Sequence, residues 1–191
     1  MSSAYPLAHE IILGLWLGSI ESSHPTFLKF RNIEAVLSIL GNFSYVERVK
    51  PQMAHEVIIM PDGDPYDEND IKKGLEFISS HHNNGTNVLV HCLAGVSRST
   101  SMVAGYLMKK KQWNPAKTLQ FIAGKRSIVA PATDTFNSVI SFIYGKNTEF
   151  FCKICQRQWQ YTANYDSFNK QYAIPSYCSC FDPDLTPRKK N

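Results

Sequence analysis

No apolar run in these 191 residues approaches the length of a membrane span. The opening Met-Ser-Ser has no basic stretch followed by an apolar one, and Ser2 stands where myristoylation requires glycine, so neither a secretory signal nor that lipid anchor is expected. Net positive charge is scarce in the body of the chain. The formal charge is +4, and Arg188, Lys189 and Lys190 supply three of it, leaving about +1 elsewhere. That balance argues against a nucleic-acid-binding body, and no direct nucleic-acid or membrane contact is expected. Cysteine is almost missing before residue 150, where Cys92 stands alone among five. The expectation is a cytoplasmic protein with reduced thiols, with Pro187-Arg188-Lys189-Lys190 hinting at nuclear entry. A hydrophobic content of 43% and 19% charged residues suit one full domain with a small appendage.

The most informative stretch runs from Val88 to Leu107. Val88-Leu89-Val90 follows the turn signal Asn83-Asn84-Gly85 and reads as a buried parallel strand. From Ser99 onward Met102, Val103, Tyr106 and Leu107 fall at helical spacing on one face. A loop running from strand into helix N-terminus gathers backbone N–H groups and the positive end of the helix dipole, which together hold a tetrahedral oxyanion. A thiol at the floor of such a pocket is held toward its thiolate, which makes Cys92 a nucleophile. Arg98 brings a planar fork able to grip two phosphate oxygens. Gly95 lets the backbone turn in tightly, and Ser99 can donate to the departing sulfur. His91 is expected to orient the loop through hydrogen bonds rather than to act as a base.

The run His91-Cys92-Leu93-Ala94-Gly95-Val96-Ser97-Arg98-Ser99 resembles the phosphate-binding loop of the cysteine-dependent dual-specificity protein phosphatases, His-Cys-x-x-Gly-x-x-Arg-Ser/Thr. The resemblance covers about residues 11 to 144, and Gly14-Leu15-Trp16-Leu17-Gly18 resembles the opening of the same family. It implies Cys92 as nucleophile, Arg98 and the loop from Leu93 to Ser97 as phosphate-binding groups, Ser99 as an aid to sulfur departure, and no cofactor for catalysis. It also implies an aspartate upstream of the cysteine as general acid. The loop Pro61-Asp62-Gly63-Asp64-Pro65 offers two, and Asp64 is preferred for its distance to Ile71, with Asp62 second. Asp67 and Asp70 read as helix-start residues. Where the family often has an asparagine after a proline, this chain has Ala132-Thr133, so neither receives a role.

Around this centre the chain alternates strands and helices. Ile11 to Leu17 bends at Gly14; Ala35–Leu40 and His55–Met60 read as further strands. Ser22 or Ser23 before His24-Pro25 marks a helix start with Phe27, Leu28 and Phe30 turned inward. Lys109-Lys110-Lys111 closes the helix begun at Ser99, Asn114-Pro115 opens another, and a last one begins near Asp134. The expected class is α/β, a central mostly parallel sheet flanked by helices, with a catalytic domain over residues 1–146.

Residues 147–191 differ in character. Cys152-x2-Cys155, then 22 residues, then Cys178-x-Cys180 presents four thiols in two close pairs, a set suited to structural tetrahedral Zn2+. About forty residues form too small a core to fold alone, and a metal would supply the missing stability. One branch of the phosphatase family carries a C-terminal zinc-binding domain, which the paired cysteines resemble in shorter form. Unrelated reduced thiols are the competing reading.

The loop side chains narrow the substrate. Leu93, Ala94, Val96 and Ser97 are not basic, whereas relatives acting on phosphoinositides carry lysines there, and an RNA 5′-phosphatase would show more basic surface. Phosphotyrosine and phosphoserine/threonine of proteins are therefore expected. The alternative class is a binding module: a phosphopeptide-holding relative without turnover, or a chain docked through its zinc segment to a protein or ribonucleoprotein partner.

Overall fold

A computed structural model of the chain describes residues 7–41, 53–162, 164–166, 171–173 and 185–189. Strands β1 (Ala8–Ile12) and β2 (Leu15–Gly18) form a hairpin whose bend is Gly14 at φ +79°, a left-handed conformation that glycine adopts without penalty. A 3-10 turn (Ile20–Ser23) and helix α1 (Pro25–Phe30) follow, then β3 (Ala35–Leu40), β4 (Ala54–Ile59), helix α2 (Glu68–His82), β5 (Val88–His91), and helices α3 (Arg98–Lys111), α4 (Pro115–Lys125) and α5 (Thr133–Tyr144). The sheet order is β1-β2-β5-β3-β4, antiparallel at β1–β2 and parallel at the other three pairings.

The apolar runs that lack polar alternation are explained by helices on both faces of the sheet. Trp16, Val36 and Leu89 face one side and pack with Leu28 and Ile33. Their neighbours Leu15, Leu17, Ala35, Leu37, Val88 and Val90 face the other, where the cluster includes Ile71, Met102, Leu119 and Phe136 from α2 to α5. Helix α3 lies innermost, with every residue from Arg98 to Met108 buried. Gly105 lets α5 approach it: a Cβ there would stand 2.6 Å from Val139 Cγ1.

Two expectations are corrected. Phe30 is 74% exposed, because α1 is only six residues long and its last turn points away from the sheet; Leu28 carries the contact. The cap of α1 is His24, whose Nδ1 accepts from the Thr26 N–H, while Ser22 and Ser23 lie in the preceding 3-10 turn. At α2 the Asp67 carboxylate accepts from the Asn69 N–H, so the helix starts at Glu68, a turn before its first buried residue.

Beyond α5, Gly145 at φ +93° turns the chain into β6 (Thr148–Cys152), which pairs antiparallel with β7 (Gln158–Trp159). The short β8 (Asn164–Asp166) and β9 (Gln171–Ala173) pair with each other, and β10 (Leu185–Lys189) adds to the open edge of β6. Phe150, Trp159, Tyr161 and Leu185 belong to the same apolar cluster as α3 and α5. Docking on the larger core thus supplies burial that forty residues alone could not. Arg188, in the sequence part of a basic tail, lies in β10 with its guanidinium 4.5 Å from the centre of the Phe151 ring.

Candidate active site

The site stands at the C-terminal end of β5, between parallel neighbours β2 and β3, where loops of such sheets gather. The backbone from Cys92 to Ser97 has every carbonyl engaged. Cys92 O accepts from His91 Nδ1, Leu93 O from the Ile20 N–H, Ala94 O from Arg126 Nη2, Gly95 O from Arg126 Nε, Val96 O from the Ala130 N–H, and Ser97 O from the Ser101 N–H and hydroxyl. None of the described peptides is cis, so each of these planar units carries its N–H on the side opposite its carbonyl. Tying the carbonyls this way leaves the N–H groups of the loop free of those partners. One of them, Gly95 N–H, donates to Cys92 Sγ at 3.3 Å. Gly95 has φ +69°, and a Cβ there would lie 2.4 Å from the Gly18 carbonyl oxygen, so only glycine fits.

Cys92 is buried, and Ser99 Oγ donates to its sulfur at 3.2 Å, so two donors face the sulfur. Arg98 opens α3 with its side chain buried. Its Nη1 donates to the Met60 carbonyl at 3.2 Å, and Nε lies 3.2 Å from Asp62 Oδ1, an ionic contact lacking hydrogen-bond alignment. Tyr66 donates to the Arg98 carbonyl at 2.8 Å; burial first, then the charge of Cys92, pushes its phenol well above the usual value, so it stays a donor. The Asp64 side chain is exposed, and the Asp64 carbonyl accepts from Thr135 Oγ1 at 2.8 Å, which ties the loop between β4 and α2 to α5. Leu93 and Ala94 are the exposed side chains of the loop, Leu93 at 51%.

A polar chain crosses three strands behind Cys92. His91 Nδ1 faces the Cys92 carbonyl, which has no proton, so Nδ1 carries the hydrogen. Burial pushes His91 down to about 4, leaving the ring neutral and Nε2 bare. Nε2 must then accept the Ser38 hydroxyl proton at 2.7 Å. With that proton used, Ser38 Oγ accepts from His55 Nε2 at 2.9 Å. His91 thus orients the loop, as its position in the sequence suggested, while Ser38 and His55 carried no local signal. Arg126 and Tyr66 were equally invisible: each is a single polar residue whose partners lie more than thirty positions away.

Cys152 is buried at the end of β6 and Cys155 is exposed in the turn that follows. Cys178 and Cys180 lie outside the described residues. Among the described residues, no group of three or more His, Cys, Asp or Glu side chains could hold a metal ion.

Residues 15–143 match the family model described as dual specificity phosphatase, catalytic domain. The chain belongs to that family. Rat dual specificity protein phosphatase 5 is 34% identical over 124 residues, 64% of this chain and 32% of that protein. Zebrafish dual specificity protein phosphatase 22-A is 34% identical over 125 residues, 64% of this chain and 59% of that protein. The matches thus span from a third to three fifths of these relatives' length. The crystal structure of human tyrosine phosphatase-like serine/threonine/tyrosine-interacting protein superposes with a TM-score of 0.64 at 24% identity, covering 71% of this chain and 94% of the other. That likeness supports the dual specificity phosphatase fold, a mixed α/β sheet flanked by helices.

Proposed function

We propose that this chain hydrolyses phosphotyrosine and phosphoserine/threonine of proteins through a cysteinyl-phosphate intermediate. The observation that carries the reading is the strand-to-helix loop with its carbonyls held by hydrogen bonds and with Gly95 N–H and Ser99 Oγ both donating to the Cys92 sulfur at its floor. Such fixed donors match the charge on the equatorial oxygens of a phosphoryl group in transfer. Cys92 thiolate attacks phosphorus, an S–P bond forms, and the P–O bond to the substrate breaks. The leaving oxygen takes the Asp64 proton. Water then attacks the cysteinyl phosphate, its proton passing to the Asp64 carboxylate, and the sulfur departs with the Ser99 hydroxyl donating to it. Arg98 swings its fork from Met60 and Asp62 to two phosphate oxygens.

Asp64 is preferred over Asp62 because its backbone is anchored through Thr135 while its carboxylate has no partner among the described residues, whereas Asp62 faces Arg98. The apolar, exposed Leu93 and Ala94 suit a peptide at the rim better than extra phosphates. The test is turnover of phosphotyrosine and phosphothreonine peptides beside phosphoinositide vesicles. Peptide turnover faster than lipid turnover supports the reading, and the reverse order overturns it.

For the C-terminal segment the reading keeps Cys152, Cys155, Cys178 and Cys180 as ligands of a structural Zn2+. The donor set fits zinc: soft thiolates, the first two at the turn closing β6, where Gln156 N–H donates to the Cys152 carbonyl at 3.0 Å and Gln156 takes φ +58°. Zinc would tie the turn to the second cysteine pair and takes no part in phosphate chemistry.

A further inference from the structure

We propose that Tyr161 is a positioning residue for the phosphatase reaction and that the C-terminal hairpin is an internal brace for the phosphate-binding loop. The proposal rests on the reading of that loop as the phosphate site. Val96 and Ser97, its last two residues before Arg98, are held by a three-residue run: the Ala130 N–H donates to the Val96 carbonyl at 3.0 Å, and the Ala132 N–H to Ser97 Oγ at 2.9 Å. Between the two donors sits Pro131, buried, with its φ fixed by the ring and no N–H to give. Its carbonyl accepts the Tyr161 hydroxyl at 2.6 Å.

Tyr161 is itself fixed on every side. It is 3% exposed, its ring meets Phe136 of α5 edge-on at 4.7 Å between centroids, and its carbonyl accepts from Asn137 Nδ2 at 3.2 Å. The hairpin that delivers it packs Phe150 against Tyr144 at 5.0 Å and Trp159 against Phe150 at 5.9 Å. A connected set of contacts therefore runs from β6 and β7 through Trp159, Tyr161 and Pro131 to Val96 and Ser97 of the loop read as the phosphate site. The hydroxyl, rather than the ring, is the link to the loop. Removing it leaves the buried Pro131 carbonyl without this donor and frees residues 130–132 to shift, and small displacements of catalytic donors carry large rate penalties.

The experiment uses the full chain and Tyr161→Phe, which keeps the ring packing, with Ile78→Val on α2 as a control that loosens the core far from the loop. Inorganic phosphate binding and kcat and KM for a small aryl phosphate are measured well below the melting transition. The brace requires Tyr161→Phe to bind phosphate about fivefold more weakly and to lose kcat/KM to at least the same degree, with Ile78→Val unchanged in both. Equal phosphate affinity and unchanged kinetics in Tyr161→Phe, even with a lowered melting temperature, make the residue structural only and overturn the proposal. A wild type that binds phosphate without turnover refutes the enzymatic reading alone, since the phosphate affinities still decide the brace.

Discussion

Arg126 donates through Nε to the Gly95 carbonyl at 2.9 Å, and the same guanidinium reaches the Ala94 carbonyl through Nη2 at 3.1 Å. A buried cation from the end of α4 thus pins the two peptides that turn the loop; burial pushes its guanidinium down, and the neighbouring Cys92 acts in the opposite direction. Lysine cannot reproduce the fork. Arg126→Lys is expected to lower kcat/KM for an aryl phosphate by about 10²-fold, through displaced loop donors. Steady-state kinetics check this, and a loss under threefold would show that the loop keeps its shape without Arg126.

The neutral His91 gives stability a pH dependence. An unfolded histidine binds its proton near 6.5, whereas burial holds folded His91 at about 4, so only the unfolded chain takes up that proton between the two values. The contribution is complete above pH 6.5 and is lost as pH falls toward 4, amounting to at most about 3 kcal/mol. His55, shifted down by burial, acts in the same direction. Melting curves from pH 7 to pH 4.5 should fall less steeply for His91→Gln than for wild type. Parallel curves would contradict the buried neutral ring.

Much of this site was legible because its chemistry is local. Cys92, Gly95, Arg98 and Ser99 occupy one strand-to-helix turn, so their spacing alone brought them together as a candidate site. The apolar runs at Val88–Val90 and Ala35–Leu40 likewise announced buried parallel strands, because both faces of such a sheet are covered. What supports the loop is not local. Ser38, His55, Tyr66, Arg126 and Tyr161 act across separations that no periodicity encodes. Phe30 was misassigned since six residues give too few turns for a helical face to define itself. The aromatic residues near Cys152 were overshadowed by the cysteines, although Phe150, Trp159 and Tyr161 bind the segment to the catalytic core.

The two loop aspartates separate by kinetics. Asp64→Ala is expected to lose about 10²-fold in kcat with a poor leaving group and to retain the rate with an activated one, because the proton matters only where the leaving oxygen is basic. Asp62→Ala, which removes the contact to Arg98, should change kcat less than threefold in either assay. The opposite pattern would assign the acid to Asp62.

Zinc content tests the C-terminal reading. The purified full chain should hold about one Zn2+, and Cys155→Ser should lose it along with several degrees of melting temperature. A metal-free wild type whose melting ignores a chelator would leave the four cysteines as unrelated thiols.

The central claim is that the Cys92 sulfur attacks phosphorus. Hydrolysis of a small aryl phosphate by wild type and Cys92→Ser addresses it most directly. Turnover in the wild type that falls by about 10³-fold or more in the serine variant is the expected result. Wild-type turnover that survives the substitution, or a wild type with none, would contradict it.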